Sequence, residues 1–250
     1  MLLGILSDPH ANLFALEAVL QDVDSVRPDV LICLGDFVGY GAQPNEVVRM
    51  LKDRCEISLA GNHDLAVLGS RLAPRMNEMA TAAADWTRER IDEETRSFLE
   101  RLPSQGQIEA ISFAHGSLRD PVAEYVLDVG TAAANFDEHD FDVAFVGHTH
   151  VPAAFWMELN SMRVRAGRLA VSADRNEVEF SFDSVGRLLL NPGSIGQPRD
   201  GDPRAAWATW EPKKRVITMR RVEYPIAYAQ GAIRKAGLPE PLAARLAAGM

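Results

Sequence analysis

The sequence predicts an α/β (α+β) protein built on two sheets. Apolar and amphipathic runs alternate as β-α-β-α-β over the first sixty residues. Short strands of alternating texture dominate after Gln107, and a composition of 47% hydrophobic and 24% charged residues is that of a globular chain. No repeat, linker or compositional shift marks an internal boundary, so the 250 residues are read as one domain, residues 1–250.

In chain order, Leu2–Leu6, Asp29–Leu34 and Glu56–Ala60 are apolar runs of strand length. Between them, Leu13–Val26 carries Leu13, Leu16, Val19 and Leu20 at helical spacing, and Pro44 suits the first turn of a helix over Pro44–Lys52. Right-handed crossovers would make these strands parallel. Residues 75–101 are rich in Ala, Met, Glu and Arg and free of Gly and Pro, which predicts a helical insertion. Strands are then expected at Ile108–Ala114, Asp142–Val146, Ala154–Leu159, Arg163–Val171, Glu177–Phe182, Arg187–Leu190, Ala206–Trp210 and Arg215–Val222, with helix sparse among them. Ala-rich segments near 225–248, split at Gly237-Leu238-Pro239, are expected to close the chain as two short helices. Trp156, Trp207 and Trp210 are read as core or sheet packing.

With 26 Lys plus Arg against 35 Asp plus Glu, the formal net charge of −9 opposes general affinity for nucleic-acid backbones. No apolar run approaches the ~20 residues of a membrane span, and the Met1–Leu6 start lacks a basic flank and meets Asp8 too soon for a signal peptide. A cytoplasmic protein, monomer or homodimer, is expected. Cys33 and Cys55 lie inside apolar runs without Cys-x-x-Cys spacing and are read as buried small hydrophobes.

Five apolar runs end in polar clusters: Ser7-Asp8-Pro9-His10, Gly35-Asp36, Gly61-Asn62-His63-Asp64, His115-Gly116 and Gly147-His148-Thr149-His150. Taken singly, each has a structural explanation. Asp8 could cap a helix and Asp36 a turn, and His115 could be a satisfied histidine. His148 and His150 could share one face of a strand and serve one metal. Yet five of the six histidines fall in these clusters, at strand ends where α/β sheets bind ligands. His139 lies in a polar helical stretch, Asp137–Asp140, and is set aside. Two carboxylates (Asp8, Asp36), four imidazoles (His10, His115, His148, His150) and the Asn62 amide are too many donors for one divalent ion and suit two with a bridging carboxylate. Two such ions against two carboxylates leave a surplus of positive charge that favours phosphoryl chemistry, with a bridging hydroxide as nucleophile and His63 free to protonate the leaving oxygen.

The set Asp8-x-His10, Gly35-Asp36-x-x-Gly39, Gly61-Asn62-His63-Asp64, His115 and Gly147-His148-x-His150 resembles the calcineurin-like metallophosphoesterases over residues 8–150. Asn191-Pro192-Gly193-Ser194 is similar to the compact bacterial and archaeal branch. The resemblance implies a double β-sandwich flanked by helices, in four layers. It implies Asp8, His10, Asp36 and His150 at one metal, and Asp36 as bridge with Asn62, His115 and His148 at the other. His63 would protonate the leaving group and contact phosphate, and Asn62 would contact substrate as well; Mn is the leading metal, with Fe, Zn, Ni or Co as others.

One departure bears on substrate. Relatives that dephosphorylate proteins continue the second motif with Asp-Arg-Gly, where this chain has Gly39-Tyr40-Gly41. Asp64 is then a candidate to orient His63, and Arg199 a candidate phosphate clamp, since a planar guanidinium can grip phosphate bidentately; Arg204 is a weaker one. The expected function is a metal-dependent phosphoesterase acting on a small phosphodiester, phosphomonoester or nucleotide. The alternatives are a protein phosphatase or dinucleoside polyphosphate hydrolase, a noncatalytic metal-binding scaffold, or a Zn amidohydrolase.

Overall fold

The computed structural model describes residues 1–69, 76–159, 161 and 163–250; residue 75, where the insertion was expected to begin, lies outside them. The chain opens as β1 (Leu3–Leu6), α1 (Leu13–Val26), β2 (Val30–Cys33), α2 (Pro44–Leu51) and β3 (Ile57–Ser58), with the three strands parallel. Asn12 starts α1 by accepting the Ala15 amide at 3.2 Å, and Leu16, Val19, Leu20 and Val23 form its buried stripe. Next come α3 (Asn62–Val67), α4 (Glu78–Arg88), α5 (Glu93–Glu100), β4 (Gln105–Ile108), β5 (Ile111–Ala114), α6 (Val129–Glu138), β6 (Val143–Phe145), β7 (Ala153–Met157) and β8 (Val164–Arg168). The remainder is β9 (Glu177–Ser181), β10 (Leu188–Asn191), β11 (Ala205–Glu211), β12 (Val216–Val222), α7 (Ile226–Lys235), α8 (Glu240–Ala244) and a 3-10 turn, Arg245–Ala248.

The strands form two six-stranded sheets, ordered β3-β2-β1-β11-β12-β9 and β4-β5-β6-β10-β7-β8. Period-two alternation sorts the side chains into layers. In β1, Leu3 and Ile5 face the other sheet while Leu6 faces the helices; in β10, Leu188 and Leu190 face inward while Leu189 meets the α6 side. Trp210, Phe113 and Phe145 fill the space between the sheets, Trp207 lies under the helices, and Trp156 is partly buried. The arrangement is a double β-sandwich flanked by helices.

Three features differ from the sequence reading. The expected strand Ile108–Ala114 is a hairpin, because Glu109 takes a left-handed φ of 52° and folds Gln105–Ile108 back on Ile111–Ala114. Helix α6 stands where little helix was expected; Asp128 caps it by accepting the Thr131 amide at 2.9 Å, and it buries Ala132 and Phe136. The sheets also do not divide the chain into an early and a late half, since β11 and β12 extend the first sheet and β1 pairs antiparallel with β11.

Candidate metal centre

The carboxyl ends of β1, β2 and β3 in one sheet, and of β5 and β6 in the other, supply the five loops that carry Asp8 and His10, Asp36, Asn62 and His63, His115, and His148 and His150. These loops are laced together by backbone hydrogen bonds: Asp8 N to Gly35 O (3.1 Å), His10 N to Asp36 O (2.9 Å), Gly147 N to His115 O (2.8 Å) and Gly196 N to Asp8 O (2.9 Å). Asp8, His10, Asp36, His148 and His150 all have φ between 47° and 63°. Each such residue carries a backbone cost of about 1–3 kcal/mol, tolerated where the surroundings over-determine the conformation. The same φ values turn five polar side chains toward one point. β6 ends at Phe145, so His148 and His150 are loop residues and not two positions on one strand face. They enter different ligand groups as a result.

Asp8, His10, Asp36 and His150 form one group of side chains that could hold a metal ion, and Asp36, His115 and His148 a second, the ligand atoms of each lying within 4.8 Å of one another. Asn62, the first residue of α3, presents its Oδ1 3.1 Å from His115 Nε2. One oxygen of each carboxylate is anchored. Asp8 Oδ2 accepts from Ser7 Oγ and the His148 amide, and Asp36 Oδ1 accepts the His63 amide at 2.8 Å. The other oxygens, Asp8 Oδ1 and Asp36 Oδ2, are buried without a hydrogen-bond partner. Asp36 Oδ2 lies 3.5 Å from His10 Nε2 and 3.4 Å from His115 Nε2, between the two groups; Asp8 Oδ1 faces His150 Nε2 at 3.2 Å.

The imidazoles are turned by their far nitrogens. His10 Nδ1 donates to Val38 O (3.1 Å), His115 Nδ1 to Leu34 O (3.1 Å) and His150 Nδ1 to Gln197 O (2.6 Å). In the neutral rings each Nε2 therefore presents a lone pair to the centre, the tautomer a metal requires. Burial, reinforced by neighbouring positive groups, pushes the pKa of His10 and His150 down, and that of His148 to about 3, so these rings are neutral. Two such lone pairs, on His10 and His150, face each other at 3.0 Å, a repulsive contact unless a cation lies between them. Burial opposes charging His115 as well, yet Asp36 lifts it to about 9, which marks that nitrogen as a place favouring positive charge. Asp8 and Asp36 stay ionised despite burial because of His150 and His115 respectively. Orphaned carboxylate oxygens among aimed imidazoles, those of His10, His148 and His150 neutral, fit divalent cations.

His63 packs edge-on against His10 (4.8 Å) and tilted against Tyr40 (4.3 Å). Burial lowers its pKa to about 4, and its Nδ1 is buried without a partner. Asp64 does not orient it. The Asp64 carboxylate accepts the amides of Asp36 (2.9 Å), Gly61 (2.9 Å) and Val38 (3.2 Å), tying α3 to the loop after β2. Arg199 lies beside Tyr40, its amide bonded to His150 O (3.2 Å) and its Nη2 reaching Tyr40 Oη (3.3 Å) and Gln197 Oε1 (3.0 Å). Arg204 is instead committed to both Asp202 oxygens and to the Arg175 and Ser172 carbonyls.

A cavity of about 290 Å³ opens over the centre, lined by Tyr40, Asn62, His63, Asn77, Tyr125 and His148. Asn77 and Ala80 bring the start of α4 to its wall. Tyr125 stacks on His148 with ring centroids 3.8 Å apart, and Arg245 shares Gln197 Oε1 with Arg199 at 3.3 Å. Tyr125, Gln197 and Arg245 were not singled out from sequence. Among the described residues no helix is long and apolar enough to cross a membrane.

Residues 1–214 match the model of the calcineurin-like phosphoesterase superfamily domain. An uncharacterized protein of Methanocaldococcus jannaschii is 36% identical over 251 residues, covering 98% of this chain and 97% of its own. The crystal structure of a metallophosphoesterase from Sphaerobacter thermophilus is 41% identical and superposes with a TM-score of 0.86, covering 100% of this chain and 99% of the other. A hypothetical protein from Pyrococcus horikoshii OT3 shares the fold at 18% identity, with a TM-score of 0.79 over 100% and 98% of the two chains. With a family match across most of its length, relatives alike from end to end, and a double sandwich whose loop ends gather Asp and His, this chain belongs to the calcineurin-like phosphoesterase superfamily.

Proposed function

We propose that this protein is a metal-dependent phosphoesterase that hydrolyses a small phosphodiester, phosphomonoester or nucleotide. The observation that carries the reading is the pair of unpartnered, buried carboxylate oxygens, Asp8 Oδ1 and Asp36 Oδ2, set among imidazole nitrogens. In this reading Asp8, His10, Asp36 and His150 hold one divalent ion, and Asp36, Asn62, His115 and His148 the other, with Mn the leading candidate and Fe, Zn, Ni or Co the alternatives. Ions so held neutralise phosphoryl charge and lower the pKa of water.

The chain's own residues do the rest. Asp36 keeps both ligand groups in register because one of its oxygens is fixed by the His63 amide while the other faces His10 and His115. Hydrolysis puts the oxygen of water on phosphorus and a proton on the departing ester oxygen; His63, beside Asn62 on the cavity wall, is the group assigned to that proton, which it takes up when an anionic phosphoryl group beside it offsets the burial that lowers its pKa. Arg199, bonded to the cavity-lining Tyr40, is the assigned phosphate clamp. A single domain over residues 1–250, a cytoplasmic setting and a small-molecule substrate belong to the same reading, the last favoured by the net charge of −9.

The test uses chelator-stripped protein with Mn, Ni, Zn or Mg restored, acting on bis(p-nitrophenyl) phosphate and p-nitrophenyl phosphate. Turnover should require metal, and Asp36→Asn should lower it at least about a hundredfold. Protein carrying two ions that cleaves neither ester would overturn the reading.

A further inference from the structure

Arg199 and Arg245 are two guanidinium groups held together without an acid. Gln197 Oε1 accepts from both, at 3.0 Å from Arg199 Nη2 and 3.3 Å from Arg245 Nη1. Both also lie over the Tyr40 ring, with guanidinium carbons 5.7 and 6.0 Å from its centroid. That ring is itself 4.3 Å from His63 and 4.7 Å from His10, so the pair borders the metal centre. Among the described residues neither arginine has a carboxylate within ion-pair distance, whereas Arg204, Arg220 and Arg221 are paired with Asp202, with Asp22 and Glu177, and with Asp200. In a chain of net charge −9, two adjacent cations sharing one neutral amide oxygen are an exception.

Their position is built. Leu246, 3% exposed, anchors the 3-10 turn that begins at Arg245, and Gly201 N donates to Gly249 O at 3.0 Å, docking this turn on the loop that carries Arg199. Like charges at this range repel, and burial together with Arg199 draws the Arg245 pKa down. A guanidinium offers five N–H donors, so one amide oxygen and one phenol leave most of the pair's capacity for an anion. Two cations match a dianion better than a carboxylate, and bidentate geometry favours a phosphoryl group.

From this we infer that Arg245, paired with the clamp residue Arg199, extends the phosphate clamp to a second phosphoryl-binding position, and that the substrate carries a second phosphoryl group beside the ester cleaved at the metal centre. The inference rests on the phosphoesterase reading and narrows its substrate class. Arg245 lies beyond residues 1–214, the part matched by the superfamily domain, while Arg199 lies within them, so the segment after residue 214 completes this position.

The test compares AMP and ADP, which differ by one phosphoryl group, as ligands of the Mn-loaded full chain. Affinity is read by calorimetry and by inhibition of bis(p-nitrophenyl) phosphate turnover. ADP should bind at least about tenfold more tightly than AMP, and Arg245→Gln should erase most of that preference. Arg245→Lys, which keeps the charge, should retain part of it, and added salt should weaken the wild-type preference. An ADP/AMP ratio unchanged in a folded Arg245→Gln protein would overturn the assignment. Ester turnover without the ADP preference would sink the assignment alone. The preference without any turnover would uphold the two-arginine binding position and sink the phosphoesterase reading, and the claim about the cleaved substrate with it.

Discussion

Gly61 has no room for a side chain: a Cβ there would overlap the Asp36 carboxylate, the group shared by both ligand sets. Gly61→Ala should therefore push Asp36 off its position, costing about 1–3 kcal/mol of stability and metal occupancy as well. Metal analysis of the purified variant should find fewer bound ions than in the parent, and an equal complement would contradict the role given to this contact. The seven proposed ligands were legible in sequence because oxygen and imidazole donors recur where apolar runs stop, and such runs stop at one rim of a sheet. Arg245 was illegible for the opposite reason. It stands alone in Pro-Leu-Ala-Ala-Arg-Leu-Ala-Ala, where helical spacing reads as an exposed face, and its partners Tyr40, Gln197 and Arg199 are brought to it by tertiary packing. Asp64 was read as a possible orienter of His63, and backbone amides, invisible to sequence patterning, claim it instead.

Helix α3 is only six residues long and owes its placement to that Asp64 carboxylate. Removing it in Asp64→Ala would leave three buried amides without an acceptor, a loss of about 3 kcal/mol or more. Thermal denaturation should show a drop of roughly 10 °C, whereas a shift within a degree would mean that the loops hold α3 unaided. Early elements were legible because α1 and α2 show a 3.6-residue period between strand-length apolar runs. β4 was hidden by exposed Gln105 and Gln107, and α6 by its Gly130 and by neighbouring polar residues. Sheet membership was hidden more deeply, since the β1–β11 register of Leu3 with Trp210 joins the two ends of the sequence and leaves no local periodic trace.

At the scale of the whole molecule, both ligand groups span the two sheets. Asp8 and Asp36 come from one, while His115, His148 and His150 come from the other. Metal bound there clasps the sandwich. At a hundred times its Kd a single ion adds about 2.7 kcal/mol, so calorimetry of chelated against Mn-loaded protein should show a rise in Tm of several degrees. Identical values would argue against ligands drawn from both sheets. A second fastening joins β12 to the loop after β10, where buried Arg221 meets Asp200 and Asp202 meets Arg204. Burial raises the Asp202 pKa, but its bonds to Arg204 outweigh that and hold it below the ordinary carboxylate value. This depressed pKa contributes stability above pH ~4, lost as pH falls through the folded value. Asp202→Asn should be less stable at neutral pH and show a shallower acid limb; a parallel curve would count against the pairing.

The antiparallel seam between β1 and β11 also sets an order in time. Translation delivers β1 well before its β11 partner, Ala205–Glu211, with β2 through β10 between them in the chain. Until then, a nascent chain already bearing every proposed ligand through His150 has one side of β1 unzipped, a row of bare amides and carbonyls open to any passing strand. A chain interrupted before Ala205 would keep that edge for good, and should be found in aggregates or on chaperones.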